Sequence, residues 1–203
     1  MTESVQTIVS HSTQPIPAPI DRRSLKRWSP HLWRRLLAPE HAFVCAWFGQ
    51  EQGSWLAAAR VRLGQRRLGD TSRALCLNGG WMSLPASCFH GQSMRHALRL
   101  EQPSVAGLFA HELLHEVQRH HGIAVTRQAL WLQCQWLLQG KDPYCYSCLR
   151  SPRAVLRQFW LANVEQQGQM WQDCVQAEVA GQALASHALL PLAVREGRLR
   201  RIK

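Results

Sequence analysis

The chain has 203 residues, 46% of them hydrophobic, and a formal net charge of +11 from 24 basic and 13 acidic residues. That length and apolar fraction suit one globular domain with tails and exclude a wholly disordered chain. No apolar run approaches the ~20 residues needed to span a bilayer, and no finger spacing, RNP-type aromatic pair or P-loop marks a nucleic-acid or nucleotide module.

Residues 1–20 are polar and carry prolines at 15, 17 and 19, so a disordered N-terminal tail is expected. Met1–Gln14 lacks the apolar core of a secretory leader, which places the expected location in the cytoplasm of the producing cell. Ser29-Pro30 has the form of a helix start, with Leu32, Trp33, Leu36 and Leu37 as the apolar face. Pro39 opens a second short helix that Gly49 ends. Ala59–Leu63 alternates and reads as a strand, and Arg73–Leu77 and Trp81–Leu84 flank Asn78-Gly79-Gly80 as a hairpin. Pro85 closes it, and a loop runs to Pro103.

From Ser104 the periodicity becomes helical, with Val105, Leu108, Phe109 and Leu113 on one face and Gly122 at the end. Thr126–Gln139 is a further helix, rich in Trp and Leu. After a loop over Gly140–Pro152, Ser151-Pro152 starts a long helix to about His187, with Gly168 and Gly181 as weak points. The expectation is an α+β domain over residues 21–190, with a small sheet or hairpin packed on the helix from Ser104 and on a long C-terminal helix. A basic tail, 191–203, follows.

His111-Glu112-Leu113-Leu114-His115 stands inside that helix. Composition alone would produce about 0.02 such HExxH matches in a chain like this. Residues four apart share a helix face, so both imidazoles can reach one metal ion, and the glutamate between them is placed to take a proton from a metal-activated water. The pattern points to Zn²⁺, with His111 and His115 as ligands and Glu112 as the catalytic base.

A catalytic zinc needs a third protein ligand. His121 has the metzincin spacing of ten residues from His111, but the glycine that lets that chain turn is replaced by Gln118. If the helix runs to Gly122, His121 points roughly 80° away from His111. The other choice is a carboxylate. Glu116 is too close to reach the same ion, Asp142 lies in a loop and Glu196 in the tail; Glu165 and Asp173 lie in the long helix. Tyr144 and Tyr146, the only tyrosines, are candidates for stabilising a developing oxyanion, and Asp173 for orienting a ligand histidine. A peptide substrate would lie along an exposed strand, with Trp81–Leu84 as the candidate edge.

The stretch Leu108–Gly122 resembles the active-site segment of the Vgr-related zinc metallopeptidases, small proteins linked to type VI secretion and contractile-injection loci. Other pieces match in the same order. Phe48-Gly49 precedes Arg60–Leu63, and Leu68-Gly-Asp70 precedes Ala74–Leu77. Asp142–Tyr146 precedes Asn163-Val-Glu-Gln-Gln-Gly168, with Asp173 after it. The similarity covers about residues 39–175. It implies a zincin-like fold, peptide-bond hydrolysis, Glu165 as third ligand, a secretion-apparatus partner, and export by a contractile, non-Sec system. Cys174 stands where family members commonly have tyrosine.

Arginine supplies nearly all the charge, clustered at Arg22–Arg35, Arg60–Arg73 and Arg195–Lys203. A solvated basic surface is preferred over a nucleic-acid site. Seven cysteines without a leader are expected to be reduced thiols, and Cys145-Tyr-Ser-Cys148 lacks the second pair a structural zinc site requires. Three readings follow: a zinc peptidase acting on peptide or protein substrates, a non-catalytic zinc-bound adaptor of a secretion apparatus, and a basic nucleic-acid-binding protein.

Overall fold

A computed structural model describes residues 33–63, 74–77 and 79–199; the expected N-terminal tail over 1–20, the Ser29-Pro30 helix start and the last four residues lie outside them. The chain is mixed α+β and mostly helical. In order it forms β1 (Arg34–Arg35), α1 (Ala38–Leu56), β2 (Arg60–Leu63), β3 (Leu75–Leu77) and β4 (Trp81–Leu84). Then come α2 (Pro103–His120), α3 (Val125–Gln139), α4 (Pro152–Leu161), α5 (Val164–Val179) and α6 (Leu190–Arg195).

The four strands make one sheet in the order β1-β2-β4-β3. The expected hairpin is present, with Leu77 opposite Trp81 and a turn through Gly79 and Gly80 at φ of 83° and 70°. Both values lie in the left-handed region, which glycine adopts without steric cost. β4 also pairs in parallel with β2, from Arg60 opposite Trp81 to Leu63 opposite Leu84. Trp81–Leu84 is therefore internal, not the exposed edge expected from the sequence. The outer strands are β1 and β3, and the Cys76 carbonyl of β3 already accepts from Arg119 Nη2 at 2.9 Å.

The structure departs from the sequence reading in three further places. The helix expected to include Trp33, Leu36 and Leu37 is extended chain, pairing Arg34 with Val61 and Arg35 with Arg60. Its place is set by Arg34, whose guanidinium donates to both carboxylate oxygens of Glu40 at 2.6 Å and to the carbonyl of Met94. Glu40 is fully buried and also accepts from the backbone N–H of Leu37 and of Leu98. The long helix after Pro152 is two helices. Asn163 and Gln166 cap α5 reciprocally, Gln166 N–H donating to Asn163 Oδ1 at 2.8 Å and Asn163 N–H to Gln166 Oε1 at 3.2 Å. The break falls there, ahead of Gly168, because this pair satisfies orphan donors at a helix start. Beyond residue 190, where a tail was expected, α6 packs on α1: Val194 is fully buried, and its carbonyl accepts from Gln52 Nε2 at 2.6 Å.

α2 is buried on nearly all sides. Phe109, Ala110, Leu113, Leu114 and Val117 are each 0% exposed. α1 and the sheet cover one side, where Phe109 meets Phe43 with ring centroids 5.7 Å apart. α5 covers another, and its Trp171 packs edge-on against Phe48 and Trp47. Clustered arginines are engaged inside the fold: Arg60 lies over Trp81, Arg62 over Trp33, and Arg195 donates to the Ala46 carbonyl. No helix among the described residues is long and apolar enough to cross a membrane.

Replacing Glu40 with alanine strands a largely buried guanidinium and two backbone N–H groups. Glu40→Ala should lower stability by about 3–5 kcal/mol, read as a fall in the urea midpoint at unchanged slope. A change below about 0.5 kcal/mol would mean that β1 is held by something else.

Candidate metal centre

α2 carries the HExxH segment as regular helix, so His111 and His115 stack one turn apart on one face. Their Nε2 atoms lie 3.1 Å apart. α5 brings in Glu165, whose Oε2 is 3.6 Å from each of those nitrogens. All three side chains are buried, each residue 6% exposed. Among the described residues this is the group of three whose ligand atoms converge, all within 4.8 Å, so that it could hold a metal ion. Donors about 2.0–2.2 Å from a tetrahedral ion stand roughly 3.3 Å from one another, and the observed separations bracket that spacing.

The electrostatics are those of a site built for positive charge. Burial acts to raise the Glu165 pKa. The His111 and His115 imidazoles beside it act against this and hold the carboxyl well below the usual carboxylate range. Burial would lower the His115 pKa, but the Glu165 carboxylate overrides it and raises it. A carboxylate and two imidazoles brought together out of water exchange their hydration for one another, and a divalent cation can take the place of those protons.

Two residues outside the sequence-based candidate set shape the centre. Gln118 accepts from His115 Nδ1 at 2.8 Å and donates through Nε2 to Gln167 Oε1 at 2.8 Å; Gln167 in turn donates to the Phe159 carbonyl. This relay favours the His115 tautomer with the proton on Nδ1 and leaves Nε2 facing His111 and Glu165. Gln118 was visible in the sequence as a missing glycine. Its position three residues after His115, on the same helix face, is the signal that marks it as a partner. The second residue is Gly168. A Cβ there would stand 2.6 Å from His111 Cε1 and 2.7 Å from its Nε2, so only glycine lets α5 approach the imidazole this closely. The expected weak point of a long helix is a contact that admits His111.

Glu112 is buried beside this group, 6% exposed. It shares a helix face with Glu116 and Arg119, and Arg119 reaches Cys76 of β3, so the glutamate is on the β3 side of α2; burial and then the Glu112 charge push the Cys76 thiol up to about 12. Tyr144 lies near the centre, its ring 6.3 Å from that of His111. Tyr146 and Asp173 do something else. The Tyr146 hydroxyl donates to Asp173 Oδ2 at 2.5 Å and Gln169 Nε2 to Asp173 Oδ1 at 2.8 Å, so both carboxylate oxygens are engaged away from the ligand histidines. Burial and this carboxylate raise the Tyr146 pKa, so its proton stays on. The pair ties the 140–151 loop to α5. Asn163 Nδ2 donates to the Pro143 carbonyl and Gln166 Nε2 to that of Cys145. Tyr144 is thereby held in place by its neighbours.

The remaining candidates lie apart. His121 follows the last residue of α2 and sits against Gly197, where a Cβ would be 2.7 Å from its Nε2. Glu116 pairs with Arg119 at 2.9 Å, Asp142 caps the Tyr144 N–H, and Cys145 and Cys148 are exposed free thiols.

No protein-family model matches the chain, and no curated protein matches it in sequence. The fold is similar to that of the effector domain of Pseudomonas aeruginosa VgrG2b, with a TM-score of 0.56 and 21% identity over 83% of this chain and 88% of that one. At that identity the likeness is one of fold.

Gly168→Ala and Gln118→Leu test the supports of the centre without replacing a ligand residue. Each should weaken metal affinity by about 10- to 100-fold, measured by competition with a chromophoric chelator, while helical content stays that of the parent. Unchanged affinity in both would show that the imidazoles need no such holding.

Proposed function

We propose that the chain is a zinc metallopeptidase of zincin-like fold, acting as an effector of a type VI or related contractile secretion system. The observation that carries this reading is the convergence of His111, His115 and Glu165 with Glu112 next to His111 on one buried helix. Two imidazoles and one carboxylate with a position left open form the donor set of zinc hydrolases. A purely structural zinc site is closed by four protein ligands and has no use for a neighbouring buried glutamate. The assignment to secretion rests on the resemblance of residues 39–175 to the Vgr-related metallopeptidases, and on the fold likeness to a VgrG2b effector domain.

His111, His115 and Glu165 would hold the ion, which when bound supplies Lewis acidity and makes water acidic enough to ionise near neutral pH. Glu112 accepts a proton from the attacking water and delivers it to the leaving amine, which is general acid–base work by one carboxylate. Gln118 keeps His115 in the tautomer that offers Nε2. Tyr144, 6.3 Å ring to ring from His111, is the side chain of the 140–151 loop placed to donate to the oxygen that gains charge as the carbonyl is attacked. The substrate class is a peptide or protein, whose cleavage needs this combination of polarised carbonyl, activated water and protonated leaving group.

Protein purified without chelators should contain near-stoichiometric zinc. Glu165→Ala should lose most of it and His121→Ala almost none; zinc retained in the first and lost in the second would move the third ligand to His121.

Glu112→Gln should keep both zinc and fold while lowering cleavage of a peptide library by about 100- to 10,000-fold. Equal cleavage by parent and variant would refute the assignment of the base.

A further inference from the structure

We propose that the outward face of α3 is the contact surface of an antiparallel homodimer, with its two-fold axis passing beside Cys134. α3 buries Val125 and half-buries Ala129 and Leu132 against the body of the protein. Its other side faces out and is almost wholly apolar: Leu130 is 66% exposed, Trp131 64%, Leu137 79% and Leu138 83%. Cys134, also exposed, lies at their centre. At about 100° per residue, all four side chains fall within roughly 60° of the Cys134 direction, so they form one continuous stripe. A stripe of this size is at the top of what monomeric proteins expose, and such patches are often functional.

The stripe fits a second copy of itself. Leu130 and Trp131 stand four and three residues before Cys134, Leu137 and Leu138 three and four after it. Running an identical helix the opposite way across it sets Leu130 against the partner's Leu137 and Trp131 against the partner's Leu138. Cys134 then meets the partner's Cys134. This self-complementarity under a two-fold rotation is what an isologous interface requires. The exposed side chains amount to roughly 600 Å² per copy, so a pair can bury at most about 1,200 Å², the lower end of stable interfaces.

Charge argues for the same occupant. Arg127, the one charged residue of α3, is exposed and points along the stripe, but it stands two turns before Cys134, at the rim; between Leu130 and Leu138 the stripe carries no charge. Interface centres are depleted in charge in this way. A helix that lies on an anionic membrane carries instead a polar face rich in Lys and Arg, and one that selects an acidic partner needs basic residues flanking the stripe.

The test uses the full chain. Sedimentation equilibrium at tens of micromolar should give twice the 23.1 kDa chain mass. L137E combined with L138E should weaken dimerisation by about 100-fold or more and return the monomer mass with unchanged circular dichroism and metal content. Mild oxidation with copper phenanthroline should cross-link the parent into a covalent dimer, and Cys134→Ser should abolish that product although Cys145 and Cys148 remain. A monomeric parent overturns the proposal, as does a double variant that still dimerises or a cross-link that survives Cys134→Ser. A monomeric parent that co-sediments with anionic vesicles would assign the stripe to a membrane surface instead.

Discussion

The centre exists because α2 and α5 approach more closely than side chains normally allow. Two glycines make this possible. A Cβ on Gly107 of α2 would stand 2.9 Å from the Gln172 carbonyl oxygen of α5, and one on Gly168 of α5 would run into the His111 ring. Each helix offers a bare patch of backbone to the other. Glu165, one turn before Gly168, is carried in far enough for its carboxylate to stand 3.6 Å from both imidazole nitrogens. With an ordinary helix separation the same three residues would be a histidine pair and a distant acid.

That closeness has an electrostatic consequence. Three ionisable groups are buried together, and burial of an unpaired carboxylate or imidazolium costs several kcal/mol (about 3–5 when one partner is removed). Each group here answers another, and the remaining polar atoms of the neighbourhood are largely passed outward: His115 to Gln118, Gln118 to Gln167, Gln167 to the end of α4. Nδ1 of His111 is buried without a protein partner. The two imidazoles are therefore held differently, His115 by a hydrogen-bonded relay and His111 by the flat contact with Gly168.

Local rules made part of this legible. The histidine pair is a matter of helix geometry, four residues apart, and needs no tertiary information. The Asn78-Gly79-Gly80 hairpin is equally local. What the sequence reading missed depends on partners distant along the chain. Arg34–Arg35 is a strand because Glu40 and the Met94 carbonyl hold Arg34, which overrides the helical apolar spacing of Trp33, Leu36 and Leu37. Trp81–Leu84 is an inner strand because the chain returns β4 beside β2, a topology that alternation cannot report. Gly168 looked like a weakness because glycine lowers helix propensity, whereas here the missing side chain is the function. The Asn163–Gln166 capping box is a local signal too, and it marks where the helix after Pro152 divides. Glu165 was reached through resemblance, since spacing alone left His121, Glu165 and Asp173 open.

Fixing a metal site and fixing its surroundings are separate tasks in this fold, and different residues perform them. Asp173 and Tyr146 carry the chemistry one would look for beside a metal, yet they spend it on each other. Their short hydrogen bond, with the two amide contacts from Asn163 and Gln166, clamps the 140–151 loop onto the N-terminal half of α5. That half also carries Glu165. Glu165 and the tyrosine nearest His111 are thus positioned by one helix, and a shift of α5 would move both together relative to the histidines of α2. The geometry of the whole site reduces to the relation between two helices, set by Gly107 and Gly168.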